Sequence, residues 1–162
     1  MLVRPFALLL ALLTLAGCAS GPAYEEPLPR ATYQKGVNIA PYAGAASDPS
    51  APAATARGTR YRSGPVSSAA ADWARWPAGT QFRVLATGEI YEVDDFTDDV
   101  VGTNTILLFK PSAPANTAPR QVTIEIVQWG SPADSAALLR PQRSSTAKKI
   151  LVELLARYPE RR

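Results

Sequence analysis

Thr80-Gln81-Phe82-Arg83-Val84-Leu85-Ala86-Thr87-Gly88-Glu89-Ile90-Tyr91-Glu92-Val93 decides the fold. Phe82 and Val84 alternate with polar neighbours, as in a strand buried on one face. Thr87-Gly88 is two-residue hairpin chemistry leading into a second strand, Glu89–Val93. Further along, Thr105-Ile106-Leu107-Leu108-Phe109 is rich in β-formers and ends at Lys110-Pro111. Gln121–Val127 is the clearest strand, with Val122, Ile124 and Ile126 on one face and Trp129-Gly130 closing it. Pro77-Ala78-Gly79 and Val101-Gly102-Thr103-Asn104 supply turns. Short strands separated by Gly and Pro turns predict a mainly β domain, a small closed barrel.

The chain turns helical after this barrel. Ser131-Pro132-Ala133-Asp134 reads as N-cap, proline at the first helical position and a carboxylate in the first turn. That helix should run to Leu139 and stop before Pro141. A second helix starts at Ser144 or Ser145 and carries Ala147, Ile150, Leu151, Leu154, Leu155 and Tyr158 at helical spacing. The stripe packs on the barrel, or else helix 145–158 offers it to a protein partner or, with Lys148, Lys149 and Arg157, to a membrane surface.

Ahead of the barrel the composition changes. Residues 18–56 are dominated by Ala, Pro, Gly and Ser, and too little apolar surface is present to offset the entropy of ordering. The stretch is expected to be a disordered tether, its ends roughly 30–35 Å apart as a flexible coil. Tyr24, Tyr33 and Tyr42 are its bulky residues. Residues 1–17 carry Arg4, then a nearly continuous apolar run from Phe6 to Ala16, then Leu15-Ala16-Gly17-Cys18. The run is shorter than the ~20 residues that a membrane span needs. It has the anatomy of a signal peptide, and its ending resembles a lipobox, in which Cys18 takes the lipid and becomes the first mature residue. Ala19 rather than Asp after Cys18 resembles the signal for delivery to an outer membrane, facing the periplasm. The expected organisation is therefore a signal peptide at 1–17, a lipidated tether at 18–56, a barrel at 57–130 and helices at 131–162.

Composition excludes much chemistry. Cys18 is the one cysteine, so no intramolecular disulfide can form. There is no histidine, which removes Ser-His-Asp and Cys-His nucleophiles and most zinc sites. The net charge of +3 is dispersed and gives no nucleic-acid footprint. The acidic run Glu89, Glu92, Asp94, Asp95, Asp98 and Asp99 lacks the alternating spacing of an EF-hand, and neither metal nor cofactor is expected. Any catalysis must rest on carboxylates, hydroxyls or backbone.

From Val66 to Gly130 the chain resembles the bacterial 3D domain, named for three aspartates. Ser68-Ala69-Ala70-Ala71-Asp72 with Arg75-Trp76-Pro77-Ala78-Gly79-Thr80 is similar to its Ala-Ala-Asp and aromatic-Pro-x-Gly-Thr segments. Val93-Asp94-Asp95 is similar to the strand delivering the second aspartate, and Val100–Ile106 to the approach to the third. The resemblance implies a double-psi β-barrel and peptidoglycan as ligand. Family members include membrane-bound lytic transglycosylase A, which cleaves glycan strands with one raised-pKa carboxyl. It also implies catalytic roles for Asp72 and Asp95. At the third position, however, Ile106 is followed by Leu107, which can neither give nor take a proton. The expected function is thus a lipoprotein barrel that binds peptidoglycan without cleaving it efficiently. The alternative is an active lytic transglycosylase working through Asp95 or a neighbouring carboxylate. Trp73 and Arg75 are the candidate glycan contacts, Trp73 as an exposed ring and Trp76 as a buried one. Against catalysis, Asp72 could simply pin the turn before Pro77, and Asp95 could hold a turn by side-chain hydrogen bonds.

Overall fold

The computed structural model describes residues 32–43, 54–112 and 117–159. Cys18, the signal-peptide segment and most of the tether lie outside them. Six strands form the barrel: β1 Tyr33–Tyr42, β2 Val66–Ala70, β3 Gln81–Val84, β4 Ile90–Asp95, β5 Thr105–Phe109 and β6 Arg120–Gln128. Two helices follow, α1 Pro132–Leu139 and α2 Ser145–Arg157. The strands close in the order β1-β5-β2-β4-β3-β6. The β1/β5 and β2/β4 ladders are parallel and the other four antiparallel. A small closed barrel with a helical extension is what the sequence predicted. Closure leaves no free sheet edge, which suits a short domain.

The largest correction falls on the expected tether. Tyr33–Tyr42 is not a coil but the strand that closes the barrel between β5 and β6. Val37 and Ile39 point inward and are 1% and 2% exposed. The register with β6 slips between Gln34 and Val37, and Gly36 sits there at φ 69°. Such a bulge needs a residue that tolerates positive φ. Pro41 is accommodated because pairing with β6 ends at Ile39, so its missing N–H costs that ladder nothing. The globular domain therefore begins at β1 and not near Arg57.

The β3–β4 connection is also longer than predicted. Val84 N–H donates to the Glu89 carbonyl at 2.9 Å, which leaves a four-residue loop rather than two. Gly88 takes the left-handed conformation, φ 74°, at its end. The Pro77–Thr80 turn is built as its sequence suggests, with Gly79 at φ 88° and Thr80 N–H on the Pro77 carbonyl at 2.9 Å. Thr80 Oγ1 donates to that carbonyl and accepts from Gly130 N–H at 3.0 Å, tying the end of β6 to the turn.

Phe82, Val84, Tyr91, Val93, Ile106, Leu108, Ile124 and Ile126 fill the barrel as one core with the helices. Ser131 caps α1 by accepting from Asp134 N–H at 3.1 Å, with Pro132 at the first position, and Ser144 caps α2 likewise through Ala147 N–H. Ser135 Oγ of α1 accepts from Ala78 N–H at 2.8 Å and docks the helix on the 77–80 turn. The α2 stripe is consumed by this core: Ile150 and Leu154 are fully buried and Tyr158 is 3% exposed. Leu151 and Leu155 of the same stripe pack against it half-buried. No described helix is long and apolar enough to cross a bilayer.

Candidate functional site

Directly paired residues on neighbouring strands share a face. Ala40 of β1 pairs with Leu107 of β5, Leu107 with Ala70 of β2, and Ala70 with Asp95 of β4. Since Ile106 and Leu108 point into the barrel, this row lies on its outer surface. Leu107 and Asp95 are thus two strand spacings apart, roughly 10 Å, with one alanine between them. No acidic side chain stands beside Leu107 in the row.

A bulge in β4 shapes the acidic end. Ala69 pairs with Val93 and Ala70 with Asp95, so Asp94 is the extra residue. In regular alternation Asp94 and Asp95 would face opposite sides, and one charge would enter the core. With the bulge, both carboxylates turn toward the segment from Ala54 to Arg62, which crosses the barrel as a strap. Asp95 is 5% exposed. Its Oδ1 accepts from Ala56 N–H at 2.9 Å, and its Oδ2 from Tyr42 Oη at 3.3 Å and from Tyr61 Oη. Burial, and then the Asp95 charge, push the Tyr42 phenol far above its usual range, which keeps it a donor. Tyr61 stacks on Phe109 at 4.8 Å, and Tyr42 meets both rings edge-on.

Asp94 is buried completely. Its Oδ2 accepts from Ser68 Oγ at 2.6 Å and from Arg62 Nη2 at 3.1 Å, while Oδ1 has no partner among the described residues. Burial holds this carboxyl above the usual carboxylate range, partly offset by the Ser68 and Arg62 hydrogen bonds. Glu92 completes the strap's fastening, pairing with Arg57 at 2.6 Å and Arg62 at 3.4 Å.

Asp72 belongs elsewhere. Its Oδ1 accepts from Ala74 N–H and its Oδ2 from Gly102 N–H, both at 2.9 Å. Its carbonyl accepts from Arg75 and Trp76 N–H. The residue caps one turn and clamps it to another, which is the pinning role its sequence position suggested. Arg75 is held in the same joint, donating to Asn104 Oδ1 at 2.6 Å with its guanidinium 5.4 Å from the Trp76 ring. Trp73 is not a surface ring. It is fully buried, donates from Nε1 to the Asp95 carbonyl at 2.9 Å and meets Phe96 edge-on, so it has no face for a sugar. Trp76 is buried as expected.

The acidic run disperses in space. Glu89 goes to Lys110, Glu92 to Arg57, Asp94 to Arg62, Asp95 to the tyrosines and Asp98 to Thr146. Among the described residues no group of three carboxylates converges. Tyr42, Tyr61 and Phe109 were not singled out as site residues by the sequence. Only the doubled aspartate in an alternating strand hinted that the ladder must shift there. Neither the protein-family models nor the curated proteins compared with this chain match it.

Proposed function

We propose that the chain is a cell-envelope lipoprotein, anchored through a lipid at Cys18 and directed to the outer membrane, whose barrel binds peptidoglycan without cleaving it. The 3D-like motifs and the lipobox-like ending support the setting. One observation supports the loss of cleavage: the row that should carry the acid has Leu107 there, flanked by Ala40 and Ala70. A lytic transglycosylase needs a carboxyl that can protonate the glycosidic oxygen and then accept the sugar's own proton. Asp72 accepts two backbone N–H bonds, and Asp95 accepts three donors while almost wholly buried. Both carboxylates hold structure rather than await substrate.

The active-enzyme alternative has one observation in its favour. Asp94 keeps a raised pKa and an unpartnered oxygen, the properties of a general acid, but it would meet a glycan only if the strap lifted. Co-sedimentation of residues 19–162 with purified sacculi tests the binding proposal. The protein should pellet with sacculi in a saturable manner; protein left in the supernatant at all sacculus concentrations would contradict it.

A further inference from the structure

Among the described residues a cleft opens at one end of the barrel. The inward-facing Ile39 and Pro41 of β1 and Leu108 of β5 wall a cleft of about 270 Å³, between the end of β5 and the start of β6. That volume lies just below small-molecule pockets, roughly 300–1,000 Å³, so a ligand would enter end-on with one or two small groups. The walls are mostly apolar and the rim is charged by Lys110, Arg120 and Glu89. Glu89 is engaged by Lys110, which holds its carboxyl below the usual range. Two cations against one anion leave the rim with an excess positive charge, at Arg120, which is exposed and makes no ion pair among the described residues. Beneath the rim the Lys110 ammonium lies 5.5 Å from the Tyr91 ring centroid. Tyr91 is 1% exposed, its ring stacked on Phe82 in the core, so it supports Lys110 from below and does not line the cleft. An apolar slot and a rim cation without an ion pair among the described residues together suit a carboxylate borne on a small aliphatic group.

We infer that this cleft binds the terminal alanyl carboxylate of peptidoglycan stem peptides, the carboxylate facing Arg120 and Lys110 and the methyl groups lying against Ile39, Pro41 and Leu108. The inference rests on the wall-binding proposal and gives the barrel a contact with the peptide rather than the glycan.

The probe is the tripeptide diacetyl-Lys-D-Ala-D-Ala, titrated into residues 19–162 and followed by calorimetry or NMR, beside its C-terminal amide. Two exposed positions supply variants that keep the core intact: Arg120→Glu reverses the rim charge, and Ala118→Trp fills the slot. The carboxylate peptide should bind saturably, and the amide at least tenfold more weakly. Both variants should lose at least tenfold in affinity while unfolding at the wild-type midpoint. Equal binding of the amide, unchanged affinity in Arg120→Glu, or no binding at millimolar peptide would each overturn the inference. Sacculus pelleting separates the two proposals. If wild type and Arg120→Glu pellet equally and the peptide does not bind, the cleft inference falls and wall binding stands. If the peptide binds as described and no protein pellets, the cleft inference stands and wall binding falls.

Discussion

Replacing Asp95 by alanine separates a structural carboxylate from a catalytic one. The substitution removes the acceptor for Ala56 N–H, Tyr42 Oη and Tyr61 Oη at a position 5% exposed. Hydrogen bonds to a charged group contribute about 1.5–3 kcal/mol each, and losing the acceptor leaves the donors with incomplete partners. The Tyr42 contact at 3.3 Å is the weakest of the three, and the terms are not additive. A total loss of about 3–5 kcal/mol is expected, comparable to breaking a buried ion pair. With a urea slope of about 2 kcal/mol/M, the unfolding midpoint should fall by roughly 2 M. Tyr61→Phe should cost about 1–2 kcal/mol, and in the double variant that loss should largely vanish, because the two groups share one interaction. Urea unfolding followed by tryptophan fluorescence reads all three, since Trp73 donates to the Asp95 carbonyl. A catalytic aspartate behaves in the opposite way: its removal tends to leave stability unchanged or improved. A midpoint within about 0.3 M of wild type would refute the structural role.

Gly130→Ala should destabilise by about 3 kcal/mol or more, because an added Cβ would lie 2.3 Å from the Ala78 carbonyl oxygen and 2.4 Å from that of Pro77; thermal unfolding checks it. Residues 57–162 alone should show no cooperative urea transition, since removing β1 opens the barrel and exposes the β5 and β6 edges, whereas residues 19–162 should show one. Asp94→Asn should change how stability depends on pH. The raised native pKa means that the folded state binds more protons than the unfolded state between the unfolded and folded pKa values. Wild-type stability relative to Asp94→Asn should therefore rise as pH falls through that window and decline as pH rises. Urea midpoints at several pH values between neutral and 4 read this, and the reverse slope would contradict it.

What the sequence made legible was local. β6, β5 and both helices announce themselves through periodicity and capping within a dozen residues, and Ser131-Pro132 does in space what it says in sequence. β1 was hidden because only Val37 and Ile39 mark it, between Gly36 and Pro41, inside a Pro- and Ala-rich stretch. Its stabilisation comes from β5 and β6, whose paired residues lie more than 60 positions away in the chain. The site failed for a related reason. Asp94-Asp95 cannot declare which carboxylate faces outward until a bulge sets the register, and that bulge exists only against β2. Trp73 read as a free ring because its partner is a backbone carbonyl 22 residues on. Asp72 was more legible: its nearest acceptor role, to Ala74 N–H, lies within its own turn. Leu107 was readable as an apolar residue in β5, and its paired neighbours on the same face are Ala40 and Ala70.

The most direct measurement is product analysis of purified sacculi incubated with residues 19–162, beside a Leu107→Asp variant. A barrel that binds without cutting should release no anhydro-muropeptides while still pelleting with the wall. Anhydro products from the unmodified protein would contradict this and move the acid to Asp94 or Asp95 beneath a strap that opens.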